Sequence, residues 1–272
     1  MQTACPWYRS AVSAVLRSSL LTGHGFSHGF STREGGVSAP PFDSLNLARN
    51  VGDDPAAVAE NHRRFAEALG VSGTRVYEVT QVHGAVVQRV GRADSVAAVR
   101  LLEADALVTG PASGPAPKNE ALCLAIRTAD CVPVLIADPE SRAVAAAHAG
   151  WRGIVAGVIP RAILALAEAG GGDPSNFVAA IGPHIRVDAF EVGDEVAQEI
   201  EAAAPGCGAI RPRQPRPHAD LSLVVRAHLG AGGVRNDNVD DVGGCTFVDA
   251  ARFFSYRRDG SRSGRLLSAI VG

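Results

Sequence analysis

Aromatic residues make up only 5% of the 272-residue chain, Met1 is its sole methionine, and the formal charge is close to balance at −2. Such a balance gives no electrostatic reason to expect nucleic acid or an anionic membrane as partner. No run of about 18 apolar residues occurs, so no transmembrane helix is expected. Ser10 to Leu21 is mildly apolar but is broken by Arg17 and several serines, which makes it a poor signal peptide. Gly-x-Gly-x-x-Gly and Gly-x-x-x-x-Gly-Lys are both absent, which argues against a dinucleotide fold or a P-loop. The five cysteines (Cys5, Cys123, Cys131, Cys207, Cys245) are odd in number, scattered and without a C-x-x-C pair. They fit free thiols in a reducing cytoplasm better than a disulfide framework. What remains is 46% hydrophobic and 20% charged, ordinary for a soluble enzyme with a sizeable core.

The chain is organised around Thr128 to Arg152. Two apolar runs flank the turn-forming Pro139-Glu140-Ser141, which predicts a β-hairpin with both strands buried. Cys131 opens the first strand and His148 closes the second, so an antiparallel pairing sets a thiol and an imidazole at one sheet edge. Buried free cysteines are common, and such a pair is also compatible with simple packing. Asp130, Trp151 and Arg152 beside the hairpin favour a task, since charge next to a buried apolar element is costly without one.

Elsewhere, Asp53-Asp54-Pro55 predicts a helix start and Gly70 its end, with Val58, Phe65 and Leu69 on the buried face and His62 as a surface or capping residue. Strands are expected at 76–82, 85–90, 104–109, 122–126 and 177–181, with a connecting segment at 92–104 and an exposed loop at 111–120. Gly153 to Gly170 reads as helical, with Pro160 either kinking it or marking a later start. Further helices are expected at 194–204 and 221–229; 211–218 reads as a solvated basic linker and 231–241 as loop and turn. The rhythm is not a strict βαβα alternation, and the organisation expected is an N-terminal segment (1–24) followed by one α/β domain with a mixed sheet core (25–272).

His83 stands at a strand end beside Gly84, the same setting as His148. With Cys131 they supply two nitrogens and one thiolate, and three protein ligands with a fourth position open characterise a catalytic zinc site. Without metal, Cys131 is the natural nucleophile. Arg33, just before Gly35-Gly36, is either an anion contact or a solvated arginine in a surface turn. Asn46, between Leu45 and Leu47, is a polar group in an apolar wall that needs a backbone or ligand partner.

Eight collinear motifs then carry a resemblance: Ser-Thr-Arg-Glu-Gly-Gly-Val-Ser (31–38), Ser-Leu-Asn-Leu (44–47), Gln-Val-His-Gly (81–84), Ala-Asp-Ala-Leu-Val-Thr (104–109), Thr-Ala-Asp-Cys-Val-Pro-Val (128–134), His-Ala-Gly-Trp-Arg-Gly (148–153), Ile-Gly-Pro (181–183) and Phe-Ser-Tyr-Arg-Arg-Asp-Gly (254–260). The chain resembles the YfiH/laccase-domain family, purine nucleoside phosphorylases once called polyphenol oxidases. The resemblance implies a single-domain α/β/β/α sandwich with mixed β-sheets and a zinc ion on His83, Cys131 and His148. It implies cleavage of adenosine, inosine, guanosine or S-methyl-5′-thioadenosine by phosphate, with adenosine deamination as a second activity. Arg33 and Asn46 match family pocket positions and are assigned to substrate or phosphate. The family commonly has cysteine where this chain has His184, which becomes an acid or an extra ligand if that position touches the pocket. Two alternatives stand beside it: a Cys/His hydrolase editing peptidoglycan precursors, and a copper polyphenol oxidase. The second is weak on ligands, because no His-x-His occurs and methionine is confined to Met1, although Cu2+ can occupy a zinc site adventitiously. The sequence leaves the oligomeric state open.

Overall fold

The computed structural model describes residues 15–71, 75–111 and 121–272. Most of the loop expected at 111–120, and residues 1–14 of the N-terminal segment, lie outside the described residues. In chain order the elements are β1 (Val15–Leu16), α1 (Ser19–Gly23), β2 (His28–Ser31), α2 (Pro55–Leu69), β3 (Val76–Tyr77), β4 (Val87–Val90), α3 (Val96–Arg100) and β5 (Ala106–Thr109). The second half continues with β6 (Cys123–Thr128), β7 (Val132–Ala137), β8 (Val144–Ala149), α4 (Trp151–Val155), α5 (Val158–Gly170) and β9 (Val178–Ile181). It closes with α6 (Asp194–Ala203), β10 (Ile210–Arg211), β11 (His218–Ala219), α7 (Leu221–Ala231), β12 (Val239–Asp241), α8 (Tyr256–Asp259) and β13 (Leu266–Val271).

A five-stranded sheet in the order β1-β2-β13-β6-β3 packs face to face with a six-stranded sheet in the order β12-β9-β7-β8-β5-β4. Strand alternation sorts the side chains into layers. Leu124 and Ile126 of β6 meet Leu135 and Ala137 of β7 and Val144 and Ala146 of β8 between the sheets. Cys123 and Ala125 point the other way, with Leu267 and Ala269 of β13, onto Phe65 and Leu69 of α2. Val134 and Ile136 face outward from the six-stranded sheet onto Ile159, Ile163 and Leu166 of α5 and Val224 and Val225 of α7. The result is an α/β/β/α sandwich, the layering implied by the resemblance.

Local chemistry sets the boundaries that position the site. Asp54 caps α2 by accepting from the Ala56 amide at 2.9 Å, Pro55 takes the first helical position, and Gly70 ends the helix at φ 73°. His62 is half-buried rather than a surface residue, its Nε2 3.0 Å from the Leu47 carbonyl, so it ties α2 to the 45–47 segment. Gly157, at φ 82°, separates α4 from α5, so the second helix starts late and Pro160 falls in its first turn, where no amide partner is lost. The strand expected at 76–82 stops at Tyr77, because the chain leaves the five-stranded sheet there to reach β4 at the far edge of the other. The 92–104 connection contains α3, capped by Ser95, and the basic 211–218 stretch is bracketed by the β10–β11 ladder rather than being a free linker. In the 231–241 stretch, β12 adds a parallel edge strand against β9.

Candidate metal centre

The β7–β8 hairpin forms as its residues predict: Val132 pairs with Ala149 and Pro133 with His148, which puts Cys131 beside the end of β8. His83 arrives from the segment that crosses between the two sheets after β3, held at φ 60° by its surroundings. One donor atom from each of His83, Cys131 and His148 lies within 4.8 Å of the others. The two imidazoles meet edge to face with centroids 4.8 Å apart. Among the described residues this is the single group of three or more potential metal ligands.

Asp105, just before β5 and fully buried, organises the trio from behind. Its Oδ1 accepts from His148 Nδ1 at 2.8 Å and from the His83 backbone amide at 2.9 Å; its Oδ2 accepts from the Gly84 amide at 2.6 Å. One proton on His148 is thereby held at Nδ1, so Nε2 is the nitrogen that can bind a cation once it gives up its own proton. Burial pushes the Asp105 carboxyl up, but the His148 bond and the two amides outweigh it and hold the pKa below the ordinary carboxylate value. Burial alone would push the Cys131 thiol up as well, yet the charge of His148 and hydrogen bonds from both imidazoles bring it down to about 6. His148 responds in kind: burial favours the neutral ring, but the Cys131 thiolate and Asp105 raise it to about 9. The metal-free trio is therefore a thiolate–imidazolium pair at neutral pH, with the ligand thiol already deprotonated as metal binding requires. Tetrahedral zinc ligands at roughly 2.0–2.3 Å from the ion stand roughly 3.5 Å apart, so only a small closure of the trio accommodates the ion.

A cavity of about 670 Å³ opens on the trio, lined in part by Gln81, Arg127, Asp130, Trp151, Arg152, Phe190, Tyr256, Arg257 and Arg265. Its volume is in the range of small-molecule sites. Each aromatic wall carries an arginine: Arg152 lies 4.3 Å over Trp151, Arg257 5.1 Å over Phe190 and Arg265 5.4 Å over Tyr256. Asp130, at φ 92°, spends its carboxylate on Thr246 Oγ1 and the Arg257 amide, both at 2.6 Å. It braces the cavity wall.

The remaining sequence-predicted residues do not join the trio. Arg33 pairs with Asp43 at 3.2 Å, donates to the Asp43 and Ala250 carbonyls, and lies 4.5 Å over the Phe254 ring, outside the cavity lining. The Gly36 amide beside it already donates to Ser44 Oγ at 3.1 Å. Asn46 is fully buried and outside the lining, and all of its partners are protein groups. His184 is fully buried too; Ile185, next in the chain, reaches the cavity in its place.

His184 bears on stability instead. Its Nδ1 donates to the Gly182 carbonyl at 2.8 Å and its Nε2 has no partner, while burial pulls its pKa from 6.5 down to about 4. Above pH 6.5 the ring is neutral in folded and unfolded chain alike and costs nothing. As pH falls towards 4 the unfolded chain binds the proton first, and stability drops by about 2–3 kcal/mol by pH 4.5. His184→Cys, the residue the resemblance leads one to expect, should remove that loss: urea denaturation at pH 7 and pH 4.5 should show the wild type falling further than the variant by about that amount. Equal losses would place the acid sensitivity elsewhere.

Comparison with known proteins finds similarity along most of the chain. A family model described as multi-copper polyphenol oxidoreductase laccase matches residues 27–272. A Streptomyces coelicolor protein named purine nucleoside phosphorylase is 43% identical over 249 residues, 92% of this chain and 96% of that one. A Deinococcus radiodurans protein of the same name is 40% identical, covering 89% of this chain and 88% of its own. The crystal structure of the Bacillus licheniformis hypothetical protein YfiH superposes with a TM-score of 0.85 at 30% identity, covering 96% of this chain and 97% of that one.

Proposed function

Because the chain belongs to the multi-copper polyphenol oxidoreductase laccase family, with YfiH-like relatives along nearly its whole length, we propose that it is a zinc-dependent purine nucleoside phosphorylase. Its substrates are adenosine, inosine, guanosine or S-methyl-5′-thioadenosine together with phosphate, and adenosine deamination is a side activity. The observation that carries this reading is the His83–Cys131–His148 trio opening onto a nucleoside-sized cavity walled by aromatics and arginines. His83, Cys131 and His148 would hold the zinc ion. When bound, zinc supplies a Lewis acid and lowers the pKa of water to roughly 7, the activation that deamination needs.

In phosphorolysis a phosphate oxygen forms a bond to the anomeric sugar carbon as the bond from that carbon to the purine nitrogen breaks. The electron pair leaves with the base, which takes up a proton. The chain's own contribution is positioning and charge. Trp151, Phe190 and Tyr256 offer ring faces to a purine, and the arginines supply positive charge for an anion. Copper phenol oxidation, the chemistry in the family's descriptive name, is a poorer match to these residues: a multicopper site needs several histidine clusters, and the described residues hold one mixed His/Cys group. A second reading has one specific observation in its favour. Cys131, His148 and Asp105 stand in the order of nucleophile, base and orienting carboxylate, as a metal-free hydrolase of cell-wall precursors would need. No described helix is long and apolar enough to cross a membrane, and Cys123, Cys131, Cys207 and Cys245 are all free thiols, which supports placing the protein in a reducing cytoplasm.

The test uses protein purified without added metal. Zinc is quantified, the protein is incubated with adenosine and phosphate, and the products are separated. Adenine and ribose 1-phosphate, lost on chelation and restored by zinc, are expected. Zinc bound with nucleosides untouched overturns the proposal and moves the hydrolase of cell-wall precursors to first place, and nucleoside cleavage that survives both chelation and His83→Ala overturns the zinc dependence.

A further inference from the structure

Four arginines line the cavity, and they are not equivalent. Arg152 is exposed over Trp151, and Arg257 donates to the Glu191 carbonyl at 2.9 Å while resting over Phe190. Arg127 and Arg265 are set deeper, side by side. Arg127 of β6 pairs with Leu267 of β13, and Arg265 stands two residues before Leu267, so strand alternation sends both guanidinium side chains to the same face of the five-stranded sheet. They are close enough that the charge of Arg127 adds to burial in lowering the pKa of Arg265.

Their neutralisation is incomplete. Arg127 has a carboxylate partner in Glu78, which is 1% exposed, and also donates to the Val79 carbonyl at 2.8 Å. Arg265 has no such partner among the described residues. Its Nη1 donates to the Ser263 and Gly264 carbonyls at 2.7 and 2.9 Å, while its Nε and Nη2 make no hydrogen bond to any of the described residues. Besides Tyr256, whose ring it lies over, the acids it senses are committed elsewhere: Asp130 to Thr246 and the Arg257 amide, and the Cys131 thiolate to His148. Two like charges held together in a half-buried wall repel each other unless an anion sits between them.

We propose that Arg127 and Arg265 form the subsite for inorganic phosphate beside the metal centre, with Glu78 and Asn46 as the residues that position them. This rests on the phosphorylase reading for the identity of the anion. Glu78 aims Arg127 through its buried ion pair. Asn46 acts through Arg265: its Oδ1 accepts from the Arg265 backbone amide at 2.9 Å and from the Ala48 amide at 3.0 Å, while its Nδ2 donates to the Ala48 carbonyl and to Asp53. With every polar atom of Asn46 engaged by protein, its effect on an anion passes through the strand start that carries Arg265. A guanidinium with one free edge, Nε and Nη2, matches a phosphate oxygen pair better than a point charge does.

Inorganic phosphate is titrated into the full-length, zinc-loaded protein by calorimetry, with adenosine 5′-monophosphate as a separate arm, and phosphate is varied kinetically at saturating adenosine. Arg265→Gln should raise both Kd and KM for phosphate about 10- to 100-fold, the loss of a charge-assisted contact, with KM for adenosine within about twofold. Arg265→Lys should recover part of the loss. Glu78→Gln combined with Arg127→Gln removes both members of the buried pair together, so the one cation that loses a partner is Arg49, 3.9 Å from Glu78 and exposed to solvent, and the double variant should move the phosphate constants in the same direction. A phosphate KM unchanged in both Gln variants, or equal rises for phosphate and adenosine, overturns the subsite. So does tight binding of the monophosphate, weakened by Arg265→Gln, with no measurable binding of free phosphate. The two readings fail differently: a wild type that cleaves no nucleoside but binds phosphate through Arg265 keeps the subsite and loses the phosphorylase.

Discussion

Replacing Asp105 with asparagine is expected to cut zinc affinity about 10- to 100-fold, and phosphorolysis with it, while the protein still folds. Alanine at the same position should also cost about 3 kcal/mol of stability, because the buried His148 Nδ1 and the part-buried amides of His83 and Gly84 lose their acceptor, a buried orphan costing about 1–3 kcal/mol and a partly solvated one less. The carboxylate is the single acceptor for His148 Nδ1 and for the amides of His83 and Gly84, so it sets the tautomer of one ligand and the backbone of another. Asparagine keeps one acceptor oxygen but turns an NH2 towards groups that are themselves donors. Loss of the ionised partner also withdraws part of what keeps His148 protonated at Nδ1. Zinc content, urea denaturation and initial rates on the two variants separate the contributions. Full zinc occupancy and wild-type rate in Asp105→Asn would show that the carboxylate serves the fold alone.

Asp105 also marks where the sequence stopped being informative. Its motif, 104–109, is visible in the chain, but nothing local distinguishes its role, because its imidazole partner lies 43 residues away and the two meet only through the β5–β8 pairing. The Cys131/His148 pairing was readable for the opposite reason: two apolar runs around a short turn can close only one way, and the ligands sit at matching ends. His83 was readable as a histidine beside glycine, but the strand expected to end at it stops at Tyr77, so the crossing segment rather than a strand end delivers it. Arg127 and Arg265 carry no such signal. Their juxtaposition depends on β13, which lies at the centre of the five-stranded sheet between β2 and β6 and follows a segment whose aromatics and arginines dominate the local pattern. The mixed α/β class followed from the pattern of the chain and the layer order from the motif resemblance alone, whereas the short edge strands β10, β11 and β12 had too few residues for periodicity to show.

Gly150→Ala should abolish metal binding and lower phosphorolysis by about 100-fold or more, the scale on which small misplacements of reacting groups act, while the melting temperature of the metal-free protein stays within a few degrees of wild type. Gly150 lies at φ −71° and ψ 161°, ordinary extended backbone that alanine adopts without strain, so its lack of a side chain has another cause. A Cβ built there would stand 3.0 Å from Cys131 Sγ, 3.0 Å from His83 Cδ2 and 3.8 Å from His148 Cε1. The added methyl would push against two of the three proposed ligands, Cys131 and His83, while meeting His148 at ordinary contact distance, and the contacts at 3.0 Å can be relieved only by moving the thiol or the imidazole that must close on the ion. The backbone is indifferent to the change; the trio is not. Zinc should raise the melting temperature of the wild type by mass action and leave that of Gly150→Ala unmoved, a readout that does not depend on knowing the substrate. Should the variant bind zinc stoichiometrically and keep its rate, the cation would have to sit away from the space these three side chains enclose.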